Sequence, residues 1–155
     1  MPHYTKYEML DDLVALYQEA APTAVVYSGY AITGDFKKWP AMLRSDAADG
    51  KTYGFIIRYA GSPQAEERMG GVQSNRSFRF KIIGMHWQDD ESNQELDFMT
   101  DTDKVLQLFD RATSTLTLPA SLKLHDTMSE EEPIQATHGN EALILYFAEL
   151  TVSQC

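Results

Sequence analysis

Apolar residues recur at helical spacing near the start of the chain. Tyr7, Leu10, Leu13, Val14, Tyr17 and Ala21 fall on one side, Asp11, Asp12, Gln18 and Glu19 face elsewhere, and Pro22 closes the run. Residues 5–21 are therefore predicted to form an amphipathic helix that lays one stripe on a larger body. From 24 to 32 the content of β-branched and aromatic residues rises through Val25, Val26, Tyr27 and Tyr30, predicting a strand that ends near Gly34 and Asp35. The stretch 36–50 has no clear period, and Pro40 is placed to open a short helical turn.

Alternation returns at 52–59, with Tyr53, Phe55, Ile57 and Tyr59 sharing one parity, and is clearest at 76–87. There Phe78, Phe80 and Ile82 point one way while Arg79 and Lys81 point the other. The connection at 60–75 is long for a compact domain, a length usually reserved for functional or mobile segments. An acidic loop at 88–93 leads into a second predicted helix at 95–112, with Leu96, Met99, Val105, Leu106, Leu108 and Phe109 as its buried stripe. Its acids Glu95, Asp97, Asp101 and Asp103 lie toward the start and Arg111 near the end, the polarity a helix dipole favours. Short strands are predicted at 116–118 and 122–124 on either side of Pro119. A closing hairpin pairs 133–137 with 141–152 through His138, Gly139 and Asn140. The order α-β-β-β-α-β-β-β predicts an α+β fold: a mostly antiparallel sheet with two amphipathic helices packed on it.

The chain has 155 residues, 43% of them apolar and 23% charged. That length and composition suit one globular domain over 1–155, and a chain of this size buries about 70% of its extended surface. The longest apolar run, 142–148, falls far short of the roughly 20 residues that span a bilayer. Glu8, Asp11 and Asp12 interrupt any signal-like apolar run at the start, so a soluble protein with no membrane association is expected. The single cysteine, Cys155, excludes an internal disulfide and a cysteine zinc cage, which suits a reducing compartment.

Net charge is −10, which disfavours a protein that coats duplex DNA. The distribution is uneven. Residues 1–36 carry a net −4, residues 37–85 carry +5, and residues 86–155 carry −11. Complementary patches of this kind favour head-to-tail contacts between copies, which close into rings when the rotation allows.

Catalytic signatures are missing. Gly29, Gly34, Gly54, Gly61, Gly70 and Gly71 match neither phosphate-loop nor dinucleotide spacing, and no nucleophile elbow surrounds Ser28, Ser74 or Ser77. The best enzyme-like cluster is His86, Asp89, Asp90 and Glu91, with His125 and Asp126. Imidazole and carboxylates together suit a divalent ion, but no ligand spacing repeats, and a solvated acidic turn accounts for these residues more simply. Glu130, Glu131 and Glu132 before Pro133 read as a self-repelling loop. Phe36-Lys37-Lys38-Trp39 and Phe78-Arg79-Phe80-Lys81 would suit a single-strand nucleic-acid platform, yet alternation separates the rings from the charges in the second. No catalytic, cofactor or metal site is expected.

Four stretches carry a family resemblance: Met9-Leu10-Asp11-Asp12-Leu13-Val14-Ala15-Leu16, the strand Arg76-Ser77-Phe78-Arg79-Phe80-Lys81-Ile82-Ile83 after a glycine-bearing loop, Leu96-Asp97-Phe98-Met99 leading to Val105-Leu106-Gln107-Leu108-Phe109, and Ala142-Leu143-Ile144-Leu145-Tyr146-Phe147-Ala148-Glu149-Leu150-Thr151-Val152. In size and element order the chain resembles the tail terminator (tail-completion) proteins of long-tailed bacteriophages, and the likeness spans nearly its whole length. The resemblance implies a structural, non-enzymatic subunit of a hexameric ring in the virion, assembled in the host cytoplasm. Such a ring caps the tail tube and meets the head-side connector, and DNA passes through it without specific binding. The 60–75 loop would then reach a neighbour or the tube. A neck or head–tail joining protein and a small single-stranded nucleic-acid-binding module are the alternatives.

Overall fold

Helix α1 (Lys6–Ala20) starts where Thr5 folds its hydroxyl back to accept the Glu8 N–H at 3.1 Å, in a Thr-x-x-Glu sequence that suits a capping box. It ends where the Ala21 N–H bonds the Tyr17 carbonyl, one residue before Pro22. The computed structural model describes residues 5–28, 38–48, 50–61, 76–88, 94–109, 125–138 and 141–154. The predicted strands at 116–118 and 122–124, most of the 60–75 connection, residues 29–37 with Phe36 and Lys37, Gly139 and Asn140 of the turn, Arg111 and Cys155 lie outside the described residues.

The other elements are β1 (Val25–Ser28), α2 (Trp39–Met42), β2 (Arg44–Ser45), β3 (Lys51–Gly61), β4 (Arg76–Trp87), α3 (Gln94–Phe109), β5 (His125–Glu130), β6 (Ile134–His138) and β7 (Glu141–Gln154). The strands form one sheet in the order β1-β3-β4-β7-β5, with β2 also beside β3 and β6 also beside β7. Only β1 and β3 run parallel among the described pairs. The fold is α+β, a mostly antiparallel sheet carrying the two amphipathic helices α1 and α3, as the order of periods predicts.

Strands β5 and β6 are two halves of one edge strand. Glu130 pairs with Ala148 and Ile134 with Leu145, so four steps on the edge oppose three on β7, and the one-residue excess is a β-bulge at 131–133. The Glu131 N–H still reaches the Phe147 carbonyl at 2.9 Å. Of the acidic triplet read as a loop, Glu130 ends β5, while Glu131 and Glu132 lie in the bulge between the two strands. Charges, a proline and a bulge together discourage a foreign strand from pairing with a bare edge.

Strand parity divides the core into two layers. Tyr53, Phe55 and Ile57 on β3, Phe80 and Ile82 on β4, and Tyr146, Ala148 and Leu150 on β7 pack under the helices. Ile56, Ile83, Met85 and Leu145 face the other way, against Trp39 and Leu43 from the α2–β2 segment. Arg79 and Lys81 lie on this second face while Phe78 and Phe80 are buried on the first, as alternation predicts.

The helices correct the predicted stripes. On α1, Met9, Leu13 and Leu16 are fully buried, whereas Tyr7 faces out and takes the Lys6 ammonium 5.5 Å from its ring centre. On α3 the buried line is Phe98, Thr102 and Val105, while Leu96 and Met99 are 62% and 58% exposed. The physical reason is Gly84. A Cβ there would lie 2.8 Å from the Phe98 ring tip, so the missing side chain is the hollow into which Phe98 fits. Phe98 then stacks on Phe55 at 5.4 Å between centroids and meets the edge of Tyr146 at 5.3 Å. One turn on, Asp101 accepts the Tyr53 hydroxyl and lies 3.6 Å from the Lys104 ammonium, so this acid anchors α3 to β3 rather than serving the helix dipole.

Two substitutions test this account. A Cβ at position 54 would overlap the Val25 carbonyl oxygen and crowd Leu43, so Gly54→Ala is expected to cost about 1–3 kcal/mol in urea unfolding by forcing β1 from β3. Tyr53→Phe, which removes a hydrogen bond to a carboxylate, is expected to cost about 1.5–3 kcal/mol in the same measurement.

Candidate functional site

A cavity of about 490 Å³ lies between α3 and the β5–β6 edge. Phe98, Met99 and Leu106 wall it from the helix, and Pro133 and Ile144 from the strands. Four carboxylates surround it: Glu95 and Asp103 from α3, Glu130 and Glu131 from the edge. His86 and Tyr146 also line it, side by side on neighbouring strands through the His86–Ile144 and Gly84–Tyr146 pairs.

Tyr146 is 4% exposed, and its hydroxyl is buried beside the Glu130 carboxylate. Burial pushes its pKa upward. The neighbouring Tyr17 hydroxyl, and then the hydrogen bond and charge of Glu130, act in the same direction.

His86 is buried, its ring 4.6 Å from that of Phe98. Its Nδ1 lies 3.0 Å from the Trp87 carbonyl oxygen, which only accepts, so Nδ1 carries the proton. Burial lowers its pKa below the ordinary 6.5, against smaller opposing effects from that carbonyl and from Glu95. Asp89, Asp90 and Glu91 lie outside the described residues, as do the side chains of His125 and Asp126. Of the sequence-predicted cluster only His86 is thus placed, and the acid brought toward it is Glu95. Among the described residues no group of three or more His, Cys, Asp or Glu side chains gathers closely enough to hold a metal ion.

The second face carries a different surface. Arg58 on β3 stands directly across from Lys81 on β4, and both are exposed. They border a second hollow, of about 590 Å³, with Ile83, Phe147, Glu149 and Glu131, the last of which also borders the first groove. On its other side Lys81 stands directly across from Glu149 of β7, an opposite charge that offsets the repulsion between the two cations. Phe78 and Phe80 are buried under the helices and Trp39 under the second face, so none of these rings offers a base-stacking platform beside the cations.

Sequence reading missed the groove. The available signal was the width of the apolar band on α3, where Leu96, Phe98, Met99, Val105 and Leu106 cover more than one helix face. No helix among the described residues is long and apolar enough to cross a membrane. No known protein family matches this sequence, and no curated protein matches it either.

The depressed His86 pKa fixes the sign of a pH effect. The unfolded imidazole takes a proton near pH 6.5 while the folded one resists it, so the stability His86 contributes is intact above that pH. It is lost as the pH falls from about 6.5 through the folded-state value. Urea midpoints measured from pH 7.5 down to 5 are expected to fall less for His86→Gln than for the unsubstituted chain.

Proposed function

We propose that this chain is a structural subunit of a long-tailed phage tail, a tail terminator that assembles into a hexameric ring. The ring caps the tail tube, meets the head-side connector, and works by shape and charge rather than by turnover. The observation that carries this reading is the coexistence, on one small α+β domain, of unpartnered apolar side chains and separated opposite charges. Leu96 and Met99 stand out from α3 beside the acid-rimmed groove, Ile134 on the edge strand is 53% exposed, and the Arg58–Lys81 patch lies on the far face of the sheet. Apolar side chains grouped around a groove, rather than scattered, mark surfaces that a partner covers. The element order supports the same reading through the family resemblance. In this reading the excess of acid keeps passing DNA from adhering to the ring, because phosphate binding needs cations.

Size-exclusion chromatography with light scattering is expected to give an oligomer, and negative-stain microscopy a six-fold ring with a central channel. A strictly monomeric protein at high concentration would overturn the reading. The double variant Leu96→Asp/Met99→Asp is expected to weaken assembly at least tenfold while keeping its thermal midpoint, since neither side chain is part of the core.

A further inference from the structure

We infer that the groove between α3 and the β5–β6 edge binds a small linear aliphatic amine, held by an ammonium group at each end with its methylene chain between the apolar walls. The observation that carries this is the groove's lining, whose described side chains offer acceptors and no free donor. Thr100 and Thr102 donate their hydroxyl protons back to the Leu96 and Met99 carbonyls at 2.8 and 3.1 Å. The Nδ1 proton of His86 is held by the Trp87 carbonyl at 3.0 Å, and the Tyr146 hydroxyl is committed to Glu130. What remains for a guest is the lone pair of His86 Nε2, the two threonine oxygens and the carboxylates of Glu95, Asp103, Glu130 and Glu131. His86 is 1% and Thr102 7% exposed, so these two acceptors are built into the wall, and no described residue donates to Nε2. A buried acceptor without a donor forfeits the hydrogen bond it makes with water in the unfolded chain.

This set of groups selects its guest. Carboxylates repel an anion, and a neutral acceptor finds no N–H or O–H to bond. An ammonium group carries three donors and no acceptor, the complement of what the wall presents. Phe98, Leu106 and Ile144 lie among the carboxylates and suit a run of methylene groups. Glu95 and Asp103 stand eight residues apart on α3, about 12 Å along its axis. One ammonium cannot reach both, whereas a chain with an ammonium at each end can. The volume of about 490 Å³ falls within the range of about 300–1,000 Å³ that holds small ligands. Taking an ammonium out of water is unfavourable unless an opposite charge and hydrogen bonds meet it, and here both are in place. The inference concerns a ligand of the single chain and does not depend on assembly into a ring.

Isothermal titration calorimetry on the full-length chain at low ionic strength tests this with 1,8-diaminooctane, its single-ended counterpart 1-aminooctane and the neutral octane-1,8-diol. The diamine is expected to bind saturably, one per chain and at least tenfold tighter than the monoamine, and the diol not to bind. Glu95→Gln/Asp103→Asn is expected to weaken the diamine at least tenfold. Glu19→Gln/Asp46→Asn removes the same charge from exposed positions outside the groove and is expected to change binding less than twofold. Thr102→Val keeps the shape of the side chain, loses one built-in acceptor, and is expected to weaken the diamine at least threefold. Circular dichroism verifies the fold of each variant. Diol binding equal to that of the diamine, equal losses in the two charge-removing pairs (a diffuse ion atmosphere only), or no saturable uptake would each overturn the inference, and none of these results bears on the ring.

Discussion

The seat of Phe98 over Gly84 is the constraint from which the rest of the surface follows. A glycine in the middle of β4 leaves one vacancy in an otherwise continuous apolar sheet face, and the ring of Phe98 fills it. Stacking on Phe55 and edge contact with Tyr146 then fix the ring in three directions. Because Phe98 is rigidly attached to α3, its position sets the rotation of the whole helix. Thr102 and Val105 turn inward, Leu96 and Met99 turn outward, and Asp101 comes to the Tyr53 hydroxyl. A helix rotated by one residue would have buried Met99 instead and closed the groove.

The sheet keeps two kinds of business apart. Its helix-covered face holds the aromatic core and, at the β5–β6 edge, the acid-rimmed groove. Its second face is apolar where Trp39 and Leu43 cover it and cationic where Arg58 and Lys81 stand. Strict alternation along β3, β4 and β7 makes this separation unavoidable, since neighbouring residues on a strand cannot share a face. The bulge at 131–133 adds one local exception, re-aiming the acidic stretch so that Glu130 and Glu131 both border the groove without abandoning the strand pairing.

Buried polar groups reinforce this picture. Tyr53 finds its partner in Asp101, and Thr52 gives its hydroxyl to the Pro40 carbonyl while Glu141 takes its N–H, which ties the second layer to the start of β7. Tyr17 and Tyr146 bury their hydroxyls near Glu130.

The periodicities at 5–21, 52–59, 76–87 and 141–152 fixed the first helix, three central strands and the α+β class, because a period of 3.6 or 2 expresses which face of a local element meets the core. The same alternation placed Phe78 and Phe80 inside and Arg79 and Lys81 outside. The strand at 125–130 was less legible: His125, Asp126, Ser129 and Glu130 give no apolar alternation, and its pairing with β7 supplies what its composition does not. On α3 the predicted stripe ran through Leu96, Met99 and Val105, and of these three only Val105 is buried, with Phe98 inside where Leu96 and Met99 were expected. Placing Phe98 inside required the hollow at Gly84, which lies on a different element and acquires meaning only once β4 is part of a sheet. The groove had the same dependence. Its residues come from β4, α3, the bulged edge and β7, so no local spacing joins them, and the tertiary arrangement alone brought four carboxylates around one hollow.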